Sequence, residues 1–238
     1  MSNIKNMMKW EFTLLYRYYI IHISILSVIL YFLSTQAIPD MNNSKFHTML
    51  LFFDPATIGL LFIGALILFE KSENILQALV VTPMKVDDYL LSKVFSLTIL
   101  SIISATIFMA LLTIFAEIEF NILYLALGII LASMMLILLG FILVSRVNSI
   151  NEYLLGMALA FLGLTFLPIL NISGLYENVI FYVLPTHASL TLFKGVFYSS
   201  GLETWEVIYG IGYQVFWIGL LYYLAKKAFH KYIVLKGG

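Results

Sequence analysis

The side chains that could do chemistry are few and scattered. Four histidines, His22, His47, His187 and His230, could ligate a metal or haem, but no two of them are spaced to face each other from within one apolar run. His22 falls about one helical turn inside such a run, and the other three fall in connections or the tail. There is no cysteine, so disulfides, thiolate metal sites and cysteine nucleophiles are excluded together. Glu70 and Glu73 share a helical face but have no histidine nearby to complete a metal site. No G-x-x-x-x-G-K-S/T phosphate loop, G-x-S-x-G elbow or H-E-x-x-H pair occurs. The expectation is a chain that is not an enzyme and holds no cofactor of its own.

The elements that would position any such group are membrane spans. The 238 residues are 62% hydrophobic and 11% charged, with mean hydropathy +1.00, whereas soluble domains carry roughly 25% charged residues. Thirteen Lys and Arg against thirteen Asp and Glu leave no net positive field for nucleic acid. A helix needs about 20 mostly apolar residues to cross the hydrocarbon core. Six such runs are legible, at Tyr18–Thr35, Met49–Phe69, Leu90–Phe115, Leu123–Val144, Tyr153–Leu170 and Trp205–Ala225. The pattern predicts an all-α membrane protein forming a single transmembrane domain over residues 1–238.

Residues 1–17 place Ile4, Met7, Met8, Leu15 and Tyr18 on one helical face and Lys5, Lys9, Thr13 and Arg17 on the other. This is the pattern of an amphipathic helix lying on the bilayer surface, with Trp10 at headgroup level. Glu11 interrupts its apolar face without a sequence-level reason. Placing both termini in the cytoplasm puts eleven basic residues inside and leaves Lys45 and Lys194 outside, as the positive-inside rule requires. The zero net charge then divides into a basic inner layer and an acidic outer one, with Asp54 counted among the outer acids.

Two connections have structure of their own. From Glu70 to Lys93, Ile75, Leu76 and Leu79 share one face and Glu70, Glu73, Asn74 and Gln77 the opposite one, predicting a short amphipathic helix over residues 70–80. Thr82 and Pro83 then read as an N-cap followed by proline at the first position of the next helix. Such a corner could receive force from a partner protein, or could simply tie two spans together. The stretch 171–204 is too apolar for a solvated loop and is broken at Pro185 and Gly195, which predicts two short helices dipping into the outer leaflet.

None of the six runs carries an Asp, Glu, Lys or Arg near its middle, which argues against an ion-coupled carrier. Small residues recur at Gly128 and Ala132 and at Gly156, Ala160 and Gly163. They suit close packing, and for both groups packing within one subunit is favoured over a dedicated dimer seam.

This layout resembles the permease subunit of type-2 ABC exporters. The match is carried by ILFEKSENILQALVVTPMKVDDYLLSKV and YVLPTHASLTLFKGVFY. The resemblance implies an amphipathic elbow helix at residues 1–17, a cytoplasmic coupling segment at 70–89 and an outer-leaflet re-entrant hairpin at 171–204. It also implies that Glu70, Glu73, Leu79, Thr82, Pro83 and Lys85 lie in the coupling helix and its corner, docked on a P-loop ATPase. ATP would be bound by that partner, and a second permease, identical or not, would complete the path through the bilayer. The alternatives are a secondary carrier or channel that works without an ATPase, or a membrane partner protein that moves no cargo.

Overall fold

The computed structural model describes residues 2–37, 43–76, 85–198 and 201–234. Leu79, Thr82 and Pro83 lie outside them. Regular structure among the described residues is entirely helical. Eight helices are traced in full: α1 Ser2–Arg17, α2 Ile20–Ala37, α3 Ser44–Ser72, α4 Val86–Ala116, α5 Ile122–Ser145, α6 Ile150–Ser173, α7 Pro185–Phe197 and α8 Thr204–Ile233. All except α1 and α7 are long and apolar enough to cross a membrane.

The breaks between helices have local causes. Tyr19 adopts a left-handed conformation (φ 60°) between α1 and α2, and Asn74 does the same (φ 58°) just beyond α3. Asn121 caps α5 by accepting from the backbone N–H groups of Leu123 and Tyr124. α8 opens with a capping box in which Glu203 and Glu206 each satisfy a backbone N–H of the other's turn. α8 ends in a widened π-turn at His230–Val234, and two other spans contain one internally, at Ile58–Phe62 in α3 and Phe161–Phe166 in α6. Each internal turn lies within a few residues of a proline, Pro55 or Pro168, which cannot donate into the helical ladder. In α3 the Leu60 carbonyl at this turn accepts from the Tyr153 hydroxyl.

The centre of the bundle is α3 against α5, the two spans with most of their residues inside (78% and 67%), compared with 17–22% for α2, α6 and α8. α5 also packs on α4, α7 and α8. Two glycines allow the central contact: a methyl group at Gly140 would stand 2.2 Å from the Gly59 carbonyl oxygen, and one at Gly59 would stand 2.6 Å from Leu136 Cβ. Gly128 likewise makes room for the Phe193 ring of α7. The small residues of α6 behave differently, because side chains added at Gly156 or Gly163 would meet nothing within 4 Å. Packing within the subunit therefore accounts for the first group of small residues and not for the second.

α7 is 13 residues long, about 20 Å at the helical rise, and is buried nearly throughout against α3, α5 and α8. Its polar Ser189 donates to Gln214 of α8, whose amide donates to the Gly210 carbonyl, so neither buried group is orphaned. Contrary to the sequence expectation, Gly195 does not break this helix. It sits inside α7, where Leu202 and Tyr124 approach too closely for a side chain.

The Gly59–Gly140 crossing should be intolerant. Gly140→Val is expected to destabilise the detergent-solubilised protein by about 3 kcal/mol or more through overpacking, whereas Gly163→Val is expected to change its stability by less than about 0.5 kcal/mol. Thermal unfolding followed by size-exclusion chromatography reads both.

Candidate functional site

Four buried side chains from three helices meet at the end of the bundle that carries the termini. Lys93 Nζ of α4 lies 3.0 Å from both carboxylate oxygens of Glu11 in α1 and 2.6 Å from Glu70 Oε1 in α3. Tyr89, one turn before Lys93, donates its hydroxyl to Glu70 Oε2 at 2.6 Å, and its ring lies 4.8 Å from the ammonium group. All four side chains are at most 2% exposed. Glu11, which had no reason to interrupt the apolar face of α1, is there to reach Lys93.

One ammonium group cannot neutralise two carboxylates in a site this deeply buried, so the cluster is balanced only when one carboxyl keeps a proton. Glu11 is the group that carries the strain. Burial raises it to about 7, with Lys93 opposing that shift and the charge of Glu70 adding to it.

Other polar contacts reinforce the same end. Lys71 donates to the carbonyls of Val144, Ser145 and Val147 at 2.7 to 3.5 Å, capping the last turn of α5. Asp87, in the first turn of α4, accepts from Tyr222 at 2.7 Å and Lys226 at 2.8 Å, which ties α4 to the end of α8. Arg17 and Glu73 form a looser exposed pair at 3.6 Å, the kind of surface bridge worth about 0–1 kcal/mol.

The coupling residues expected from sequence are thus divided. Glu70 belongs to the last turns of α3 and is buried, so the amphipathic helix expected from residue 70 cannot begin there; α3 runs on to Ser72 and Glu73 caps it. Glu73 is partly exposed against Arg17, and Lys85 is the exposed N-cap residue of α4.

Two features were missed. Asp54 is not an outer-surface acid: it lies within α3, is 4% exposed and accepts from the Ser104 hydroxyl of α4. Apolar scanning had started this span at Met49 and had treated the acid beside Pro55 as part of its outer end. The second is a cavity of about 460 Å³ at the opposite end from the ionic cluster, lined by Lys45, Glu177, Tyr182, His187, Lys194 and Glu206 among others. His187 there is buried, not a loop residue; its Nε2 lies 3.1 Å from Asn171 Oδ1. Burial, assisted by the charge of Lys194, lowers it to about 4, so the imidazole is neutral at physiological pH.

The family model for the fluoroquinolones export permease proteins matches residues 2–237. The chain belongs to that family. Relatives in two strains of Mycobacterium tuberculosis, CDC 1551 / Oshkosh and ATCC 25618 / H37Rv, are named fluoroquinolones export permease proteins. Each is 28% identical over 238 residues, covering 100% of this chain and 99% of the relative. No solved structure matches. The permease is an export-type transport protein, a multi-pass integral protein of the plasma membrane built on six apolar helices.

The ionic cluster gives the permease a pH signature. The folded value of Glu11, about 7, lies above its ordinary 4.5. Its stabilising contribution is therefore complete below about 4.5 and is lost as pH rises through about 7. Between pH 5.5 and 8.5, wild-type stability should fall on the order of 2 kcal/mol more than that of Glu11→Gln, read as unfolding midpoints in detergent.

Proposed function

We propose that the permease is the membrane subunit of an ATP-driven exporter with the type-2 ABC arrangement, and that it expels amphipathic drugs of the fluoroquinolone kind from the cytoplasm. The observation that carries this reading is the buried Glu11–Lys93–Glu70 cluster, because it fastens α1, the end of α3 and the start of α4 to one another. A segment bounded by Ser72 and Lys85 and anchored in this way can pass a push to three helices at once. Its residues Glu73, Leu79, Thr82, Pro83 and Lys85 form the surface that docks on a P-loop ATPase, and Glu70 anchors that surface from inside the bundle. The ATPase holds the nucleotide, since the permease sequence has no phosphate loop.

In this arrangement both termini are cytoplasmic, α1 is the interfacial elbow over residues 1–17, 70–89 is the coupling segment, and α7 with the 3-10 turn before it forms a re-entrant hairpin within 171–204. The excess of Lys and Arg at the cluster end supports that orientation. A second permease, a like copy or a sister chain, closes the path, and the unfilled Gly156 and Gly163 on the exposed α6 support close approach of a neighbouring helix.

Asp54 supports a rival, a proton-coupled carrier, because an acid buried in a span is what such a carrier requires. Inside-out vesicles separate the two. With the partner ATPase present, ATP should drive uptake of a fluorescent fluoroquinolone, a protonophore should leave that uptake intact, and Glu73→Lys or Pro83→Gly should abolish it with insertion unchanged. Uptake driven by a pH gradient without ATP would favour the carrier.

A further inference from the structure

Besides a hollow beside Lys71 and Asn148 at the cluster end, three others stand out among the described residues, and they differ in chemistry. The groove between α4 and α5, lined by Ile102, Met109 and Ile130, and the one between α3 and α6, lined by Leu60, Met157 and Phe161, are almost wholly apolar and suit acyl chains. The third, at the α7 end, carries charges of both signs beside aromatic rings.

Its charges are only partly used. Lys194 is paired with Glu206 at 3.2 Å and lies 5.1 Å from the centre of the Tyr198 ring. Lys45, by contrast, is exposed and reaches only the Ser173 carbonyl, at 3.2 Å, with no carboxylate within 4 Å among the described residues. Glu177 is exposed and also forms no ion pair within 4 Å among the described residues. The two flank Gly174, whose would-be Cβ lies 3.2 Å from Lys45 Nζ and 3.8 Å from Glu177 Oε1. A cation and an anion are therefore held a few ångströms apart without being paired. The Tyr182 ring lines the same cavity, fixed by its 4.2 Å contact with the buried His187 and by the Tyr209 hydroxyl, which donates to the Tyr182 carbonyl. The neutral His187 contributes no competing charge.

From this placement we infer that the cavity is a binding site for a zwitterionic aromatic molecule, with its carboxylate on Lys45, its ammonium group on Glu177 and its ring plane on Tyr182. A volume of about 460 Å³ lies within the roughly 300–1,000 Å³ of drug-sized sites. Lys45 and Glu177 give the site its preference for opposite charges on one molecule, because a ligand with a single charge leaves one of them unanswered. The inference deepens the export reading, on which it rests for the meaning of the site, and places a cargo subsite at the far end of the bundle from the ionic cluster.

A zwitterionic lipid headgroup has the same pair of charges without the ring. The test uses the purified permease in nanodiscs of phosphatidylglycerol, without ATPase, with ciprofloxacin as the probe and its own fluorescence anisotropy as the readout. Ciprofloxacin should bind, and nalidixic acid, which has the carboxylate and the fused ring but no basic amine, should bind at least 5-fold more weakly. Lys45→Gln and Glu177→Gln should each weaken ciprofloxacin 5- to 20-fold, while Lys226→Gln at the other end changes nothing. Both substitutions are at exposed positions outside the packed core, and the nalidixic acid comparison needs no variant. Equal binding of the two drugs, wild-type affinity in both variants, or loss of ciprofloxacin binding in nanodiscs containing phosphatidylethanolamine would overturn the assignment. If selective binding holds but ATP-driven vesicle uptake fails, the export reading falls and the site stands. If uptake holds while the variants bind normally, the site falls alone.

Discussion

A lysine shared by two carboxylates, all out of contact with water, sets the terms for one end of this bundle. Each buried charge costs several kcal/mol to desolvate, and the cost is offset only while an opposite charge is in place. Removing Lys93 leaves both carboxyl groups without a cation, whereas removing either glutamate leaves a single ion pair behind. The three helices that supply them are therefore held to a single relative position, or must move together. A cluster of this kind is a poor source of net stability and a strong source of geometric specificity. It sits where α3 ends, next to the segment proposed above to dock on a partner.

The remainder of the fold supplies a rigid body for that end to act on. The α3–α5 crossing at Gly59 and Gly140 brings backbone to backbone, and α3 stays in contact with α5 from this crossing to its cluster end. The π-turn at Ile58–Phe62 lies on this line, closed by Tyr153 from α6. α7 rests on both α3 and α5 and forms one wall of the charged cavity. The ionic cluster and the cavity are thus opposite ends of one packed column.

Much of this was legible in the sequence, and the misses follow a pattern. Apolar runs located all six spans, but they mark the hydrocarbon window and not the helix: α3 begins at Ser44, five residues before the run at Met49, and α4 begins at Val86, four before Leu90. Polar first and last turns continue a helix into the headgroup layer, and this is why Glu70, one residue past the run, reads as a flanking residue although it is buried in α3; Asp54 lies inside the run, close enough to its outer end to count with the outer acids, and is buried too. The amphipathic pattern of residues 1–17 was clear, and its exception, Glu11, was the informative position. A carboxylate on an apolar face states that a buried cation exists somewhere, but periodicity cannot say that the cation is Lys93, 82 residues on. The charged cavity was invisible for a related reason, since its lining comes from five separate stretches of chain that only the fold of α3, α6, α7 and α8 brings together.

The central claim is that Glu11 and Lys93 act as one unit that fixes α1 to α4. A double-mutant cycle with Glu11→Gln, Lys93→Met and the pair, read as unfolding free energy in detergent at pH 7, tests it most directly. Lys93→Met alone should cost about 3–5 kcal/mol, because it leaves two buried carboxyl groups without a cation, and adding Glu11→Gln should recover part of that loss, giving a coupling of about 1–3 kcal/mol. Effects that add to within about 0.5 kcal/mol would show that the two groups do not act together, and would contradict the account.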